Sequence, residues 1–227
     1  MLYIVGTPIG NVKDVSFRQL NAFSNSDIIL AEDTRSAKKL LNLLKERNKL
    51  KIKKDVFFVS YFKEKELEKI PQILKYFNEG KTISLISESG MPLISDPGYM
   101  LIKLCIRYNI VFEVVPGPSA LLTALIYSGF NPKHFTYLGY FPKKESEIKK
   151  TVNKLINIKQ EFPDMLFVFY ESAKRINKTL NILNSINYNF DISICSEMTK
   201  KHEEIRREII SKLLNEKYKG EITIVLK

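Results

Sequence analysis

The sequence predicts an α/β protein in which strands and helices alternate, with a mostly parallel sheet in its first half. Three observations carry that expectation. Short runs such as Leu2–Val5 are apolar at consecutive positions, as strands buried on both faces are. Longer segments with helical spacing separate them, and the loops between collect Gly, Pro, Ser and Asn.

In chain order, Leu2–Val5 ends in a Gly/Pro turn, and residues 16–23 read as a helix. Residues 27–31 form a second strand, and 34–45 a helix with Leu40, Leu41 and Leu44 spaced along it, capped by Asp33 or Thr34. Strand 56–60 precedes helix 63–78, whose Leu67, Ile70, Leu74 and Phe77 share a face. Strand 82–87, helix 99–108, strand 111–115 and helix 119–128 follow. Ser128-Gly129-Phe130-Asn131-Pro132 gathers turn formers, which places a boundary between domains 1–129 and 130–227. The second domain reads as a smaller α/β unit: strand 135–141, helix 145–158, strand 165–170, helix 172–183, strand Asp191–Ser196, helix 208–216 and strand Glu221–Leu226. The charge run 143–150 is a solvated helix start.

The 227 residues are 44% hydrophobic, enough for a substantial core, which excludes disorder and a disulfide-dense mini-protein. Cys105 and Cys195 lie in apolar runs and are expected as buried free thiols. No zinc-like Cys/His spacing occurs, and no metal is expected. The opening apolar run is too short for a signal peptide, and no long uncharged stretch reads as a membrane span, so a soluble cytoplasmic protein is expected. The charge of +11 comes from 36 basic and 25 acidic residues spread over both halves. With 29 lysines and 7 arginines, this balance permits an acidic partner such as RNA without specifying one.

The informative loops follow strand carboxyl ends, where open α/β sheets hold ligands. Gly6-Thr7-Pro8-Ile9-Gly10-Asn11 has the wrong spacing for a dinucleotide fingerprint, and Pro8 removes an amide that a pyrophosphate would use. From Ser87 to Tyr99, two prolines and two glycines exclude a strand or helix interior. That stretch can wrap a small ligand, or make a tight crossover with Asp96 as helix cap. Val115-Pro116-Gly117-Pro118-Ser119-Ala120 is a rigid helix start. Glu32 and Arg35, in Ala31-Glu32-Asp33-Thr34-Arg35, are costly to bury without partners. Phe169-Tyr170-Glu171-Ser172 and the polar stretch from Ser196 to Glu204 complete the set.

Taken together, these loops resemble the small-subunit ribosomal RNA cytidine 2′-O-methyltransferases of the tetrapyrrole-methylase-like superfamily. The resemblance extends from Met1 to the terminal strand. It implies a two-domain tetrapyrrole-methylase-like fold, with a mostly parallel N-terminal sheet and a smaller mixed-sheet C-terminal domain. S-adenosylmethionine is expected in a cleft between them, in a homodimer. The implied activity is methylation of a cytidine ribose in 16S rRNA, free or in the small ribosomal subunit. By motif, Pro8, Gly90, Met91, Pro92, Ile94, Ser119, Ala120, Tyr170 and Thr199 would hold the cofactor. Glu32, Arg35, Lys200 and Glu203 are the candidates for catalysis or RNA contact, with Asp14 a further possible base. Tyr61, Phe62, Phe141 and Tyr170 could stack on bases, although core packing competes for the phenylalanines.

Three departures from the family pattern stand out. Ser87-Glu88-Ser89-Gly90-Met91-Pro92 replaces the usual Ser-Asp-Ala-Gly-Thr-Pro, and Ser196 stands where an arginine is common. Many relatives also carry a further small C-terminal domain. The competing readings are a methyltransferase of the same fold acting on a small molecule such as a tetrapyrrole, and a non-catalytic RNA-binding assembly factor.

Overall fold

Leu2–Val5 (β1) is apolar on both faces because it lies inside a sheet covered on both sides. In the computed structural model, which describes residues 1–186 and 188–227, the chain divides into two compact units, Met1–Ser119 and Ala120–Lys227. In the first unit, β1, Ile28–Ala31 (β2), Phe57–Ser60 (β3), Ile83–Ile86 (β4) and Phe112–Val115 (β5) form a wholly parallel sheet of order β3-β2-β4-β1-β5.

Four helices connect the strands. Phe17–Asn25 (α1) starts with a capping box in which Ser16 accepts from the Gln19 amide and the Gln19 side chain accepts from Ser16. Thr34–Asn48 (α2) is capped by Asp33 and ends at Lys49, whose φ of 53° is left-handed. Glu66–Asn78 (α3) and Tyr99–Arg107 (α4) complete the set. One face of the sheet packs Val5, Ile29, Ala31, Ile86 and Val115 against Ala22 and Phe23 of α1 and Leu41 and Leu44 of α2. The opposite face packs Leu2, Ile4, Ile28, Leu30, Ile83 and Leu85 against Ile73 of α3 and Leu101 and Cys105 of α4. Helices that flank β1 and β2 on one face and follow β3 and β4 on the other are what right-handed crossovers running in opposite directions produce.

The second unit carries a mixed sheet of order β6-β7-β10-β8-β9, built from Phe135–Tyr140 (β6), Leu166–Ser172 (β7), Asp191–Ser196 (β8), Glu204–Ile209 (β9) and Glu221–Leu226 (β10). Among the described residues only β6 and β7 pair in parallel. Glu145–Glu161 (α6) and Ile176–Ser185 (α7) bury Ile148, Val152, Leu180 and Leu183 with Phe167, Phe169 and Ile194 of the sheet. Ala120–Ser128 (α5) packs on β7, β8 and β10. That packing groups α5 with the second unit, so the division falls after Ser119 instead of after Gly129.

The expected helix 208–216 is absent. Residues 204–209 instead pair antiparallel with β8, with Arg206 opposite Ile194 and Glu208 opposite Ile192, and one 3-10 turn, Ile210–Lys212, follows. Ile210 and Leu213 enter the core there, which supplies the apolar spacing that reads as helical. The helix expected from residue 172 begins at Ile176 instead. Glu171, only 2% exposed, holds the intervening turn by accepting from the Ser172 amide, the Thr179 hydroxyl and Arg175. Both cysteines are free and buried. Among the described residues, no helix is long and apolar enough to cross a membrane, and no group of three or more His, Cys, Asp or Glu could hold a metal ion.

Candidate active site

The order of the first sheet picks out one position. From β1 the chain leaves toward β2, and from the adjacent β4 it leaves the opposite way toward β5. The carboxyl ends of β1 and β4 therefore form the switch point at which such sheets take ligands. The two loops leaving it are joined by reciprocal backbone hydrogen bonds, Thr7 N–H to Gly90 at 2.8 Å and Gly90 N–H to Thr7 at 3.2 Å. Below them the buried Ser87 hydroxyl donates to the Gly90 carbonyl at 2.8 Å.

The loop after β5 closes on the same point. Gly6 donates to the Val115 carbonyl, and Gln19 Nε2 donates to the Gly6 carbonyl at 2.6 Å. A Cβ on Gly6 would lie 2.8 Å from Gly117 Cα and 2.7 Å from Met91 Sδ, so glycine is required by close approach of two backbones. Met91 takes part in this closure: its thioether accepts from the Gly117 amide at 3.2 Å. The methionine in place of the usual threonine thus clamps the third loop to the second.

The stretch from Ser87 to Gly98 is strained at Leu93 and Ser95. Gly90, Leu93, Ser95 and Gly98 all have positive φ, at 87°, 72°, 70° and 130°. Such conformations in non-glycine residues persist only where the surroundings enforce them. Glu66, 8% exposed, accepts from the Gly98 amide and from the Tyr61 hydroxyl, fixing the end of the loop to the start of α3. Burial, then the Glu66 charge, drives the Tyr61 pKa far upward, so its hydroxyl stays a donor. Pro8, Gly90 and Pro92 are buried, Met91 and Ser119 half-buried, and Ile94 is exposed.

Electrostatics at this end of the sheet are acidic. Asp33 caps α2 and grips the Arg35 guanidinium at 2.8–3.2 Å, which holds its carboxyl down to about 2 and raises Arg35. Glu32 is exposed at the end of β2. Asp96 is the residue that sequence reasoning misses. It does not cap α4, whose cap position is Gly98. Half-buried, it is pushed up to about 6 by desolvation, then by the charges of Glu32 and Glu88. Its only signal in the sequence is a carboxylate inside a rigid loop, since of the two neighbours that perturb it Glu88 sits in the same loop and Glu32 follows a different strand, β2.

In the second unit, Thr199 and Glu197 have φ of 63° and 48°, and the side chains around them are engaged with one another. Lys200 Nζ lies 2.9 Å from Glu197 and 2.8 Å from Glu221. Burial would lower its pKa, but those hydrogen bonds outweigh it and raise the pKa, so Lys200 is a fixed ammonium and no base. Glu203 accepts from the Thr199 amide at 2.6 Å and the Tyr127 hydroxyl at 3.0 Å. Tyr170, half-buried on β7, meets the rings of Tyr137 and Tyr140 edge-on, with centroids at 5.2 and 5.6 Å. A register shift in β6 between Tyr137 and Tyr140 brings both rings to that side. Ala120 opens α5. Tyr61 and Phe141 are core residues at 0% and 2% exposure and do not present faces to a base, whereas Phe62 is half-buried beneath Lys65. Asp14 sits in a short 3-10 turn after the first loop.

Residues 1–214 match the model of the family described as tetrapyrrole (corrin/porphyrin) methylases. The chain belongs to that family. Among its relatives, it is 40% identical to the ribosomal RNA small subunit methyltransferase I of Thermotoga maritima, over 99% of this chain and 97% of that protein. It is 38% identical to the enzyme of the same name from Rickettsia prowazekii, over 99% of this chain and 77% of that one. The fold matches the solved methyltransferase CobJ with a TM-score of 0.69 at 15% identity, covering 99% of this chain and 92% of that one. A diphthine synthase matches with a TM-score of 0.68 at 14% identity, over 99% and 88%. As in other tetrapyrrole methylases of this fold, the N-terminal sheet is followed by a mixed α/β unit.

Gly6→Ala tests the three-loop closure. The added methyl meets backbone that cannot give way, and a loss of roughly 1–3 kcal/mol in chemical denaturation is expected. A fully stable variant would mean that the loops do not close on one another.

Proposed function

We propose that this methylase transfers a methyl group from S-adenosylmethionine to the ribose 2′-hydroxyl of a cytidine in 16S rRNA. The observation that carries the reading is the pinned switch point, with its rigid loops and acidic rim, in a chain 40% identical over nearly its whole length to a small-subunit rRNA methyltransferase. The residues present fit the cofactor. Half-buried Met91 and exposed Ile94, held in place by the buried Pro8 and Pro92, offer apolar surface for a purine, while Glu32 and Glu88 favour a cationic sulfonium. Ser119, which ends the third loop, is assigned to the same cofactor by its motif. When bound, S-adenosylmethionine supplies an electrophilic methyl on a sulfur that leaves as a neutral thioether.

The protein's own part is positioning and proton removal. A ribose hydroxyl attacks well only as its proton departs. Lys200 and Arg35 are permanently protonated, and Glu203 is held by two donors, so none of them is a suitable acceptor. Among the described residues Asp96 has no hydrogen bond or ion pair to give up, and it is basic enough to accept near neutral pH. Asp96 takes the proton, with Glu32 raising its basicity from the end of β2. Arg35, 90% exposed beyond its contact with Asp33, remains available to an RNA phosphate. The enzyme acts as a homodimer. Supporting this, the edge strand β5 and the adjoining α1 expose Val114 at 47% and Phe17 at 85%.

With methyl-labelled cofactor and small ribosomal subunits, label is expected on the ribose of a cytidine after nuclease digestion. Label on a base, or none, would refute the reaction. For Asp96, the rate should rise with pH through about 6 as the carboxyl ionises. Asp96→Asn should lower turnover by about 10²–10⁴-fold while leaving cofactor affinity nearly intact. Because an acid with a raised folded pKa stabilises below its unfolded pKa and loses that stability as pH rises through about 6, the same variant should melt higher than wild type at pH 7.5 and equal to it at pH 3. Sedimentation equilibrium should give twice 26.3 kDa for the wild type and the monomer mass for a Phe17→Asp, Val114→Asp variant.

A further inference from the structure

Away from the site, one stretch departs from the even spread of charge. Residues 38–54 hold eight lysines and arginines against one carboxylate, Glu46. All eight are exposed. Lys53 pairs with Asp27 at 2.7 Å, and Lys38 lies over the Phe58 ring. Among the described residues Lys39, Lys45, Arg47, Lys49, Lys51 and Lys54 form no ion pair. Helix α6 is the useful contrast. It is also lysine-rich, but two of its cations are offset, Lys149 by Glu145 and the capping Lys144 by Glu147, and among the described residues Lys150 and Lys154 form no ion pair.

The backbone holds these cations in place. Leu41 and Leu44 anchor α2 to the core, leaving Lys38, Lys39, Lys45 and Arg47 on its other sides. Beyond the helix, Leu50 and Ile52 turn into the same core, which leaves Lys49, Lys51 and Lys53 facing outward at alternate positions. A few of these charges favour the helix C-terminus, but that effect fades within one turn and does not account for Lys51 or Lys54. Lys49 is the sharper sign. It occupies the left-handed position where glycine is preferred, so lysine there costs stability.

We propose that α2 and the segment to Lys54 form a basic ridge that docks the phosphate backbone of the rRNA substrate. This rests on the rRNA reading above. The ridge starts at Arg35, beside the acidic rim, and ends about 22 Å away along the helix. Its chemistry is that of phosphate neutralisation, which positions RNA without reading sequence. A small acidic ligand needs no such length, and a tetrapyrrole would not reach it.

The test uses the full-length enzyme, a 16S rRNA transcript and small ribosomal subunits. Lys45→Gln, Arg47→Gln, Lys49→Gln and Lys51→Gln combined should weaken RNA binding at least tenfold. The slope of log K against log salt should become shallower by about 3, at 0.7–0.9 per lost phosphate contact. Turnover at saturating RNA and affinity for S-adenosylmethionine should stay within about twofold. Arginine at the three lysine positions should keep the slope. Lys49→Gly alone should raise the melting temperature by about 2–4 °C while weakening RNA binding, opposite signs that a merely structural lysine cannot give. An unchanged slope in the fourfold variant overturns the proposal. So does an equal loss from Lys143→Gln, Lys149→Gln, Lys150→Gln and Lys154→Gln combined on the α6 side, which would make net charge alone responsible. If the wild type transfers no methyl to either RNA, the rRNA reading itself fails; if it transfers and the ridge variant matches it, only the ridge fails.

Discussion

Two backbone hydrogen bonds between Thr7 and Gly90 join loops that the sheet topology sends in opposite directions. Without them, the loops leaving β1 and β4 would diverge, since one connection crosses to the α1 and α2 face and the other to the α4 face. Because they are joined, Gly6 comes close enough to Gly117 that no side chain fits, and Met91 can bond to the third loop. The strained backbone at Leu93 and Ser95 follows from the same constraint, held at its far end by Glu66 on Gly98. Rigid loops cost little entropy when a ligand binds, which is the advantage of building a site this way.

Much of this is legible in the sequence because it is local chemistry. Glycine and proline after apolar runs mark strand ends whatever lies around them, so residue order alone locates the loops carrying Pro8, Gly90 and Ser119. The arrangement of charges is not legible in that way. Lys200 and Glu203 look like free polar residues in a loop, yet each is engaged by groups from elsewhere in its unit, Glu221 in β10 and Tyr127 in α5. Asp96 looks like a cap and is instead perturbed by carboxylates that follow β2 and β4. Pair partners from distant strands leave no periodic trace. The same blindness explains β9: the apolar residues Ile205, Ile209, Ile210 and Leu213 have helical spacing only because a strand and a 3-10 turn adjoin.

Charge separation within the first unit gives the net +11 a structure that composition conceals. Carboxylates collect at the carboxyl ends of the strands, where they would suit a cationic cofactor but repel phosphate. Cations collect toward the far end of α2, where they suit phosphate and have no bearing on a sulfonium. An RNA enzyme that bound its substrate strongly at the acidic rim would weaken the basicity control on Asp96, because each phosphate or cation brought there alters the local field. Moving affinity some 20 Å along a helix removes that conflict. It leaves a single arginine, Arg35, at the meeting point, tethered by Asp33 and still largely exposed. Salt should therefore act on the RNA-binding step much more than on the methyl-transfer step, since exposed lysines are screened and a half-buried carboxylate is not.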